Sequence, residues 1–265
     1  MIISKKKLVW FATCILLVLL FLIWLYTHPA SSTVKLLLFK RLNLPVGYAY
    51  GSVIRYSEFA PAYEFSNNLQ NAGINQAWKI FTQSKGLAYL ASQQKLTPSA
   101  AEIAQDAALP ALASAPSGEV RKFSIVTNIN RRRLAAAWVK QEFQKDRRYK
   151  MLADILKVNS QADFSALTMK YSEDSASKSF GGGLGFVQKN SLLPEVVSSV
   201  DFSKVERPQI VYSRYGAHVI FINAVDTQDL LEPKYDVYQI FFKVDGFDQY
   251  LEKKLAQEKN IFLLD

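Results

Sequence analysis

Cysteine and histidine are almost missing from this 265-residue chain: Cys14 is its single thiol, and His28 and His218 are its two imidazoles. One cysteine cannot form an intramolecular disulfide, so cysteine usage leaves the redox compartment open. A Ser-His-Asp triad would have to recruit one of two histidines, and no Cys/His/Asp spacing suggests a zinc or iron site. No metal and no other cofactor is therefore expected. Glycine is also scarce, with eleven in all, yet four of them crowd into "SFGGGLGF", residues 179–186. A Walker loop is excluded there because no Lys-Ser/Thr pair follows. A dinucleotide fingerprint fails too, since the sixth position counted from Gly181 is Phe186 and from Gly183 is Gln188.

What is present describes a folded protein. The chain is 49% apolar and 21% charged, a globular balance, and its net charge of +9 favours acidic surfaces or acidic unstructured partners. Residues 8–26 contain no charged side chain. At 1.5 Å per residue about 19 residues cover roughly 28 Å of hydrocarbon. Trp10, Trp24 and Tyr26 stand near the ends of this run, where amphipathic rings prefer the interface. A cleavable signal peptide has a shorter apolar core, roughly 7–15 residues, and needs a small-x-small site. His28 in "THPASS" spoils that site, so the run reads as a retained transmembrane anchor. Lys5, Lys6 and Lys7 abut the span and place the N-terminus inside and the body outside the cytoplasm, although Lys35, Lys40 and Arg41 lie close on the other side. "VKLLLFKRLNLP" suits either an interfacial amphipathic segment or a packed helix of the body.

Residues 57–112 are helical in pattern, with Ile74, Trp78, Phe81, Leu87 and Leu90 at three- and four-residue spacings. "TPSAAEIAQ" reads as a helix start with Thr97 as N-cap and Pro98 in the first turn, and "LPALASAPSGE" as a loop. A second helical stretch, about residues 130–158, is the most basic part of the chain, from Arg131 to Lys150. A nucleic-acid helix could look like this. Leu134, Trp138, Phe143, Leu152 and Leu156 instead make it amphipathic with a solvated basic face, and nucleic acid is not expected as a partner. After Gln161 come a helix running into the polar turn "YSEDSA", a glycine-rich strand start and the short helix "LLPEVVSSVDF". Two extended runs in "RPQIVYSRYGAHVIFIN" and a further strand in "EPKYDVYQIFFKV" follow, before a closing helix with an apolar tail.

Taken together, "DFSALTMKYSEDSA", "GGGLGF", "LLPEVVSSV" and "YSRYGAHVIFI" resemble the parvulin-type peptidyl-prolyl isomerases, in order and spacing, over about 60 residues from Asp163 to Asn223. More weakly, the remainder resembles the helical part of SurA- and PrsA-like foldases. The resemblance implies prolyl cis–trans isomerisation without a cofactor, on unfolded or nascent exported polypeptides. It implies Asp174 as the polar active-site residue, Leu184 and Leu192 as proline-pocket positions, Ser213 as the hydroxyl ahead of the last strand, and His218 as the second of two family histidines. Taken singly, Leu184 and Leu192 also suit a core and His218 a satisfied strand histidine. Three departures stand out: Val196 replaces the pocket aromatic, Gly183 replaces an aspartate, and no strand carrying the first histidine precedes the Tyr-Ser turn. "YDVYQIFF" resembles that strand, which places Gln239 at the missing histidine's position in a circularly rearranged domain.

The expected architecture is α+β. A membrane anchor occupies residues 1–30 and a helical chaperone-like domain residues 31–160. A parvulin-like antiparallel sheet with surrounding helices follows over 161–248, with strand 235–243 completing it, and a helix over 249–265 returns to the helical domain. The expected function is a single-pass, membrane-anchored foldase whose body lies on the periplasmic or cell-wall side. The alternative is a holdase retaining a degenerate isomerase domain.

Overall fold

A computed structural model describes residues 16–21, 23–24, 26–27, 33–70, 73–107, 118–229 and 232–264. Its first half contains α1 (Thr33–Leu42), β1 (Pro45–Ala49), β2 (Ser52–Arg55), α2 (Tyr56–Gln70), α3 (Ile74–Gln93), α4 (Ala100–Ala107) and α5 (Gly118–Lys145). After a 3-10 turn follow α6 (Leu152–Ile155), α7 (Gln161–Tyr171), α8 (Ser175–Lys178), β3 (Gly183–Gln188) and α9 (Pro194–Ser199). The chain ends with β4 (Gln209–Ser213), β5 (Gly216–Asp226), β6 (Lys234–Lys243), α10 (Phe247–Leu255) and β7 (Ile261–Phe262). This is an α+β protein with two small antiparallel sheets.

The chain divides into two compact units. The first comprises residues 1–89, 101–125 and 255–265. Its sheet runs β2-β1-β7, and Phe59 lies at its centre, fully buried, with the rings of Tyr56, Tyr63, Trp78, Phe81 and Phe262 around it at 6.0–6.4 Å. The "VKLLLFKRLNLP" segment is a packed helix here: Phe39 is fully buried, and Leu36 and Leu38 pack against the same core.

The second unit comprises residues 90–100 and 126–254. Its sheet runs β3-β6-β5-β4, antiparallel throughout. Side chains alternate across a strand, so each strand feeds two cores. Ala217, Val219, Phe221, Ile240 and Phe242 face a cluster with Phe143, Leu152, Ile155 and Phe164. Val211, Ile220, Ile222, Tyr235 and Val237 face a second cluster with Val196, Val200 and Phe202. Burial on both faces explains why "GAHVIFI" carries no polar alternation apart from His218.

Several local expectations are corrected. α5 begins at Gly118, not near residue 130, because Val120, Ile125 and Ile129 pack inward despite their β-branching. α4 begins at Ala100, so Thr97 and Pro98 precede it. The C-terminal apolar tail is a strand, with Ile261 and Phe262 paired to Tyr48 and Gly47. α10 packs on Trp138 through Phe247 and Tyr250, and it is residues 255–265 that join the first unit. The basic face of α5 is partly committed: Arg131 pairs with Asp248 at 2.6 Å, and Arg133 donates to the Leu96 carbonyl at 3.1 Å.

Among the described residues no helix is long and apolar enough to cross a membrane. Residues 8–15, 22 and 25 of the proposed span, and most of the loop read at 109–119, lie outside the described residues.

Candidate functional site

The site begins where α7 stops. Ser160 caps the helix N-terminus, accepting from the Asp163 N–H at 3.2 Å, and the backbone turns extended at Ser172. The Ser172 hydroxyl, buried, accepts from the N–H groups of Phe241 at 3.1 Å and Asp174 at 3.3 Å. Beside it the Glu173 N–H donates to the Phe241 carbonyl at 2.8 Å, and the Glu173 carboxylate accepts from the Lys243 N–H at 2.8 Å. Arg148 closes the strap with 2.6 Å to Glu173 and 2.7 Å to Asp146. The turn "YSED" is thereby fastened along β6, and Asp174 is delivered to the N-terminus of α8.

The glycine cluster brings β3 up from the other side. Gly181 and Gly182 have φ of +62° and +87°, a region that disfavours side chains. A Cβ on Gly181 would lie 2.7 Å from Ser165, and one on Gly182 would lie 2.5 Å from the Gln239 carbonyl oxygen. The close crossing lets the Gln239 N–H donate to the Gly182 carbonyl at 2.9 Å. The glycines therefore bring two strands together.

On the α9 side of the sheet the polar candidates form one connected chain. The Tyr215 N–H donates to Ser213 Oγ at 3.1 Å, and Ser213 Oγ lies 2.8 Å from His218 Nε2. His218 Nδ1 lies 3.5 Å from Gln239 Oε1, and Gln239 Nε2 donates to Asp174 Oδ2 at 2.8 Å. The same carboxylate accepts from the Ser177 hydroxyl at 2.5 Å and the Ala176 N–H at 3.1 Å. An ionised carboxylate only accepts, so Gln239 must turn its amide nitrogen to Asp174 and its oxygen to the histidine. That orientation assigns the proton to Nδ1 and leaves Nε2 to accept from Ser213. Each group fixes its neighbour's direction.

Electrostatics agree with this assignment. His218 is 4% exposed, and its burial outweighs the Gln239 contact and the Asp174 charge, pushing its pKa down to about 4. The imidazole is neutral at pH 7. Burial pushes the Asp174 carboxyl up, but the hydrogen bonds from Ser177, Ala176 and Gln239 outweigh it and hold the group below its ordinary value.

The apolar candidates share the same face. Leu184 and Leu192 are half-buried and pack against the second cluster. Leu184 is the bulged residue of β3, between Gly183 opposite Tyr238 and Gly185 opposite Val237. Val196 is 3% exposed and belongs to the core beneath them. Ser172, Glu173, Ser177 and Arg148 were not singled out from sequence. The signal for the first two was the "YSED" spelling itself, and Arg148 was hidden among like charges.

Comparison with known proteins adds to this geometry. The family model for the PPIC-type PPIASE domain matches residues 120–226. Peptidyl-prolyl cis-trans isomerase pin4 of Neurospora crassa is 37% identical over 73 residues, covering 26% of this chain and 55% of the relative. The chain thus spans about half the length of that curated relative. Over residues 120–226 the chain is similar to the PPIC-type PPIase domain. The family match stops at Asp226, whereas the strand lying between β3 and β5 is β6, farther along the chain.

Proposed function

We propose that this protein is a membrane-tethered foldase that accelerates cis–trans isomerisation of X-Pro bonds in unfolded or exported chains outside the cytoplasm. The observation that carries the reading is the continuous chain Ser213–His218–Gln239–Asp174, on the same sheet face as Leu184 and Leu192. Rotation about a prolyl bond faces a barrier of about 18–20 kcal/mol and takes tens of seconds unaided. Catalysis requires an apolar grip on the ring and polar groups that favour the twisted amide over the planar one. Leu184 and Leu192 supply the grip. Gln239 supplies a donor, since its amide carries two N–H bonds and Asp174 takes one.

The domain is read as circularly rearranged, with β6 serving as the strand that the matched region lacks. In this reading Gln239 stands for the family's first histidine. The tether is read from the uncharged run 8–26, and Leu16 to Leu20 and Ile23 are each 50–60% exposed, as side chains meant for lipid would be.

The test is a prolyl-peptide isomerisation assay on the full chain in detergent, against Asp174→Ala and His218→Ala. Loss of roughly tenfold or more is expected for each, the weight of one or two strong hydrogen bonds. The buried Val196, and Gln239 in place of a histidine, favour a second reading, a holdase. Intact suppression of client aggregation without any acceleration of isomerisation would select it.

A further inference from the structure

The first 57 residues contain seven Lys and Arg and no Asp or Glu; Glu58 is the first carboxylate. Three elements drawn from this cationic segment converge at one corner of the first unit. The Tyr26 hydroxyl, at the end of the uncharged run 8–26, donates to the Pro45 carbonyl at 3.0 Å, and its ring meets Phe39 edge-on at 5.4 Å. Pro45 pairs in register with Arg55. The Arg55 guanidinium in turn donates to the Asn43 carbonyl at 3.2 Å, one residue beyond the end of α1.

The exposed side chains of these elements are apolar and basic. α1 turns Phe39 inward and leaves Leu37, Lys40, Arg41 and Leu42 exposed. On the outer face of the sheet Tyr48 pairs in register with both Val53 and Ile261, so three exposed apolar side chains form a row across β2, β1 and β7. Val53 is 57% and Ile261 54% exposed, whereas Ile54 and Ala49 on the opposite face are fully buried. Glu58, the carboxylate closest in sequence, is already paired with Lys85 at 2.9 Å.

We propose that this corner lies flat on an anionic bilayer, with Tyr48, Val53 and Ile261 in the headgroup boundary and Lys40, Arg41 and Arg55 against lipid phosphates. The proposal rests on the membrane-tether reading and extends it from the anchor to the body. An apolar patch rimmed by Lys and Arg is what an interfacial surface requires. So small a patch would bind weakly from solution, but once the helix is inserted docking is intramolecular, and a small gain suffices. A second copy is disfavoured because a two-fold contact would press these cations against themselves.

The experiment uses the full chain in lipid nanodiscs, with Cys14→Ser and an environment-sensitive label at Val53→Cys or, separately, Ile261→Cys. In discs containing phosphatidylglycerol both labels shift to the blue and are quenched by lipids brominated near the headgroup. In pure phosphatidylcholine discs both effects weaken. Replacing Lys40, Arg41 and Arg55 by Glu lowers the docked-to-undocked ratio by about fivefold or more per site. Labels that stay in water on both lipids, in a chain that resists alkaline extraction, overturn this proposal alone. Extraction of the chain from the discs overturns the tether reading and the proposal with it. Label burial that is indifferent to lipid charge but depends on protein concentration assigns the face to a second copy and also overturns it.

Discussion

The two faces of the four-stranded sheet are built from the same strands yet follow opposite rules. Toward α5, α6 and α7 the core is an apolar cluster, with Phe164 stacked on Phe221 at 5.0 Å and Phe143 beside Phe242 at 5.3 Å. Toward α9 the apolar cluster gives way at one end to Ser213, His218, Gln239 and Asp174. The change happens within single strands: His218 stands between Ala217 and Val219, and Gln239 between Tyr238 and Ile240. A buried polar group without a partner costs one to several kcal/mol, whereas a satisfied network is tolerated and directional. The apolar face thus supplies the stability against which the polar face holds its geometry.

The largest expected effect breaks the apolar face. Phe221→Ala removes a fully buried ring and should cost about 3–5 kcal/mol in a denaturant titration. Isomerase turnover per folded molecule should stay near that of the parent. A large drop in turnover at unchanged stability would mean that the division of labour between the faces is wrong.

The next effect probes the polar face through pH. The His218 pKa falls from 6.5 unfolded to about 4 folded, so the unfolded chain takes up the proton first as pH drops. Stability from this group is complete above about pH 6.5 and declines through pH 4, by on the order of 3 kcal/mol. Asp174 acts in the same direction: its folded pKa is lowered, so its contribution is present above the ordinary carboxylate value and is lost as pH falls through the folded one. His218→Asn should flatten the stability profile between pH 6.5 and 4, while Asp174→Asn should leave that window in place.

Asp174→Asn sharpens the comparison further. Loss of the charge removes the reason for Gln239 to point its nitrogen at residue 174. The amide can then turn and donate to the histidine, moving the imidazole proton to Nε2. A stability loss of about 1–2 kcal/mol is expected, with the tautomer change visible in imidazole nitrogen chemical shifts. An unchanged tautomer would show that the chain is not ordered by Asp174.

How much of this was legible depends on the length scale of each constraint. The strands and short helices after Gln161 were readable because β-branched runs, the Leu-Pro helix start and the glycine cluster signal locally. The first unit's three-stranded sheet was largely hidden, because β7 is two residues long and meets β1 across more than two hundred positions. α5 was read twelve residues short because "VRKFSIVTNI" has strand-like composition that only tertiary packing overrules. The polar candidates were legible as types but not as a directed chain. Their order depends on a register, Ile220 opposite Gln239, that composition does not specify.

The smallest expected effect concerns the strap that holds the polar face in place. The Arg148 and Glu173 side chains are 24% and 40% exposed, so their ion pair is worth only about 0.5–1 kcal/mol. Glu173→Gln keeps an oxygen that can accept from the Lys243 N–H and loses only the charge. Thermal stability should therefore shift slightly, and less still at high salt, where the pair is already screened. Turnover is the sharper measure, because Asp174 follows Glu173 directly and any slack in the turn passes to Gln239. A modest fall in kcat with KM unchanged would place the strap among the positioning residues. Stability and turnover that fall in proportion would make it ordinary scaffold, and the polar face would then end at Asp174.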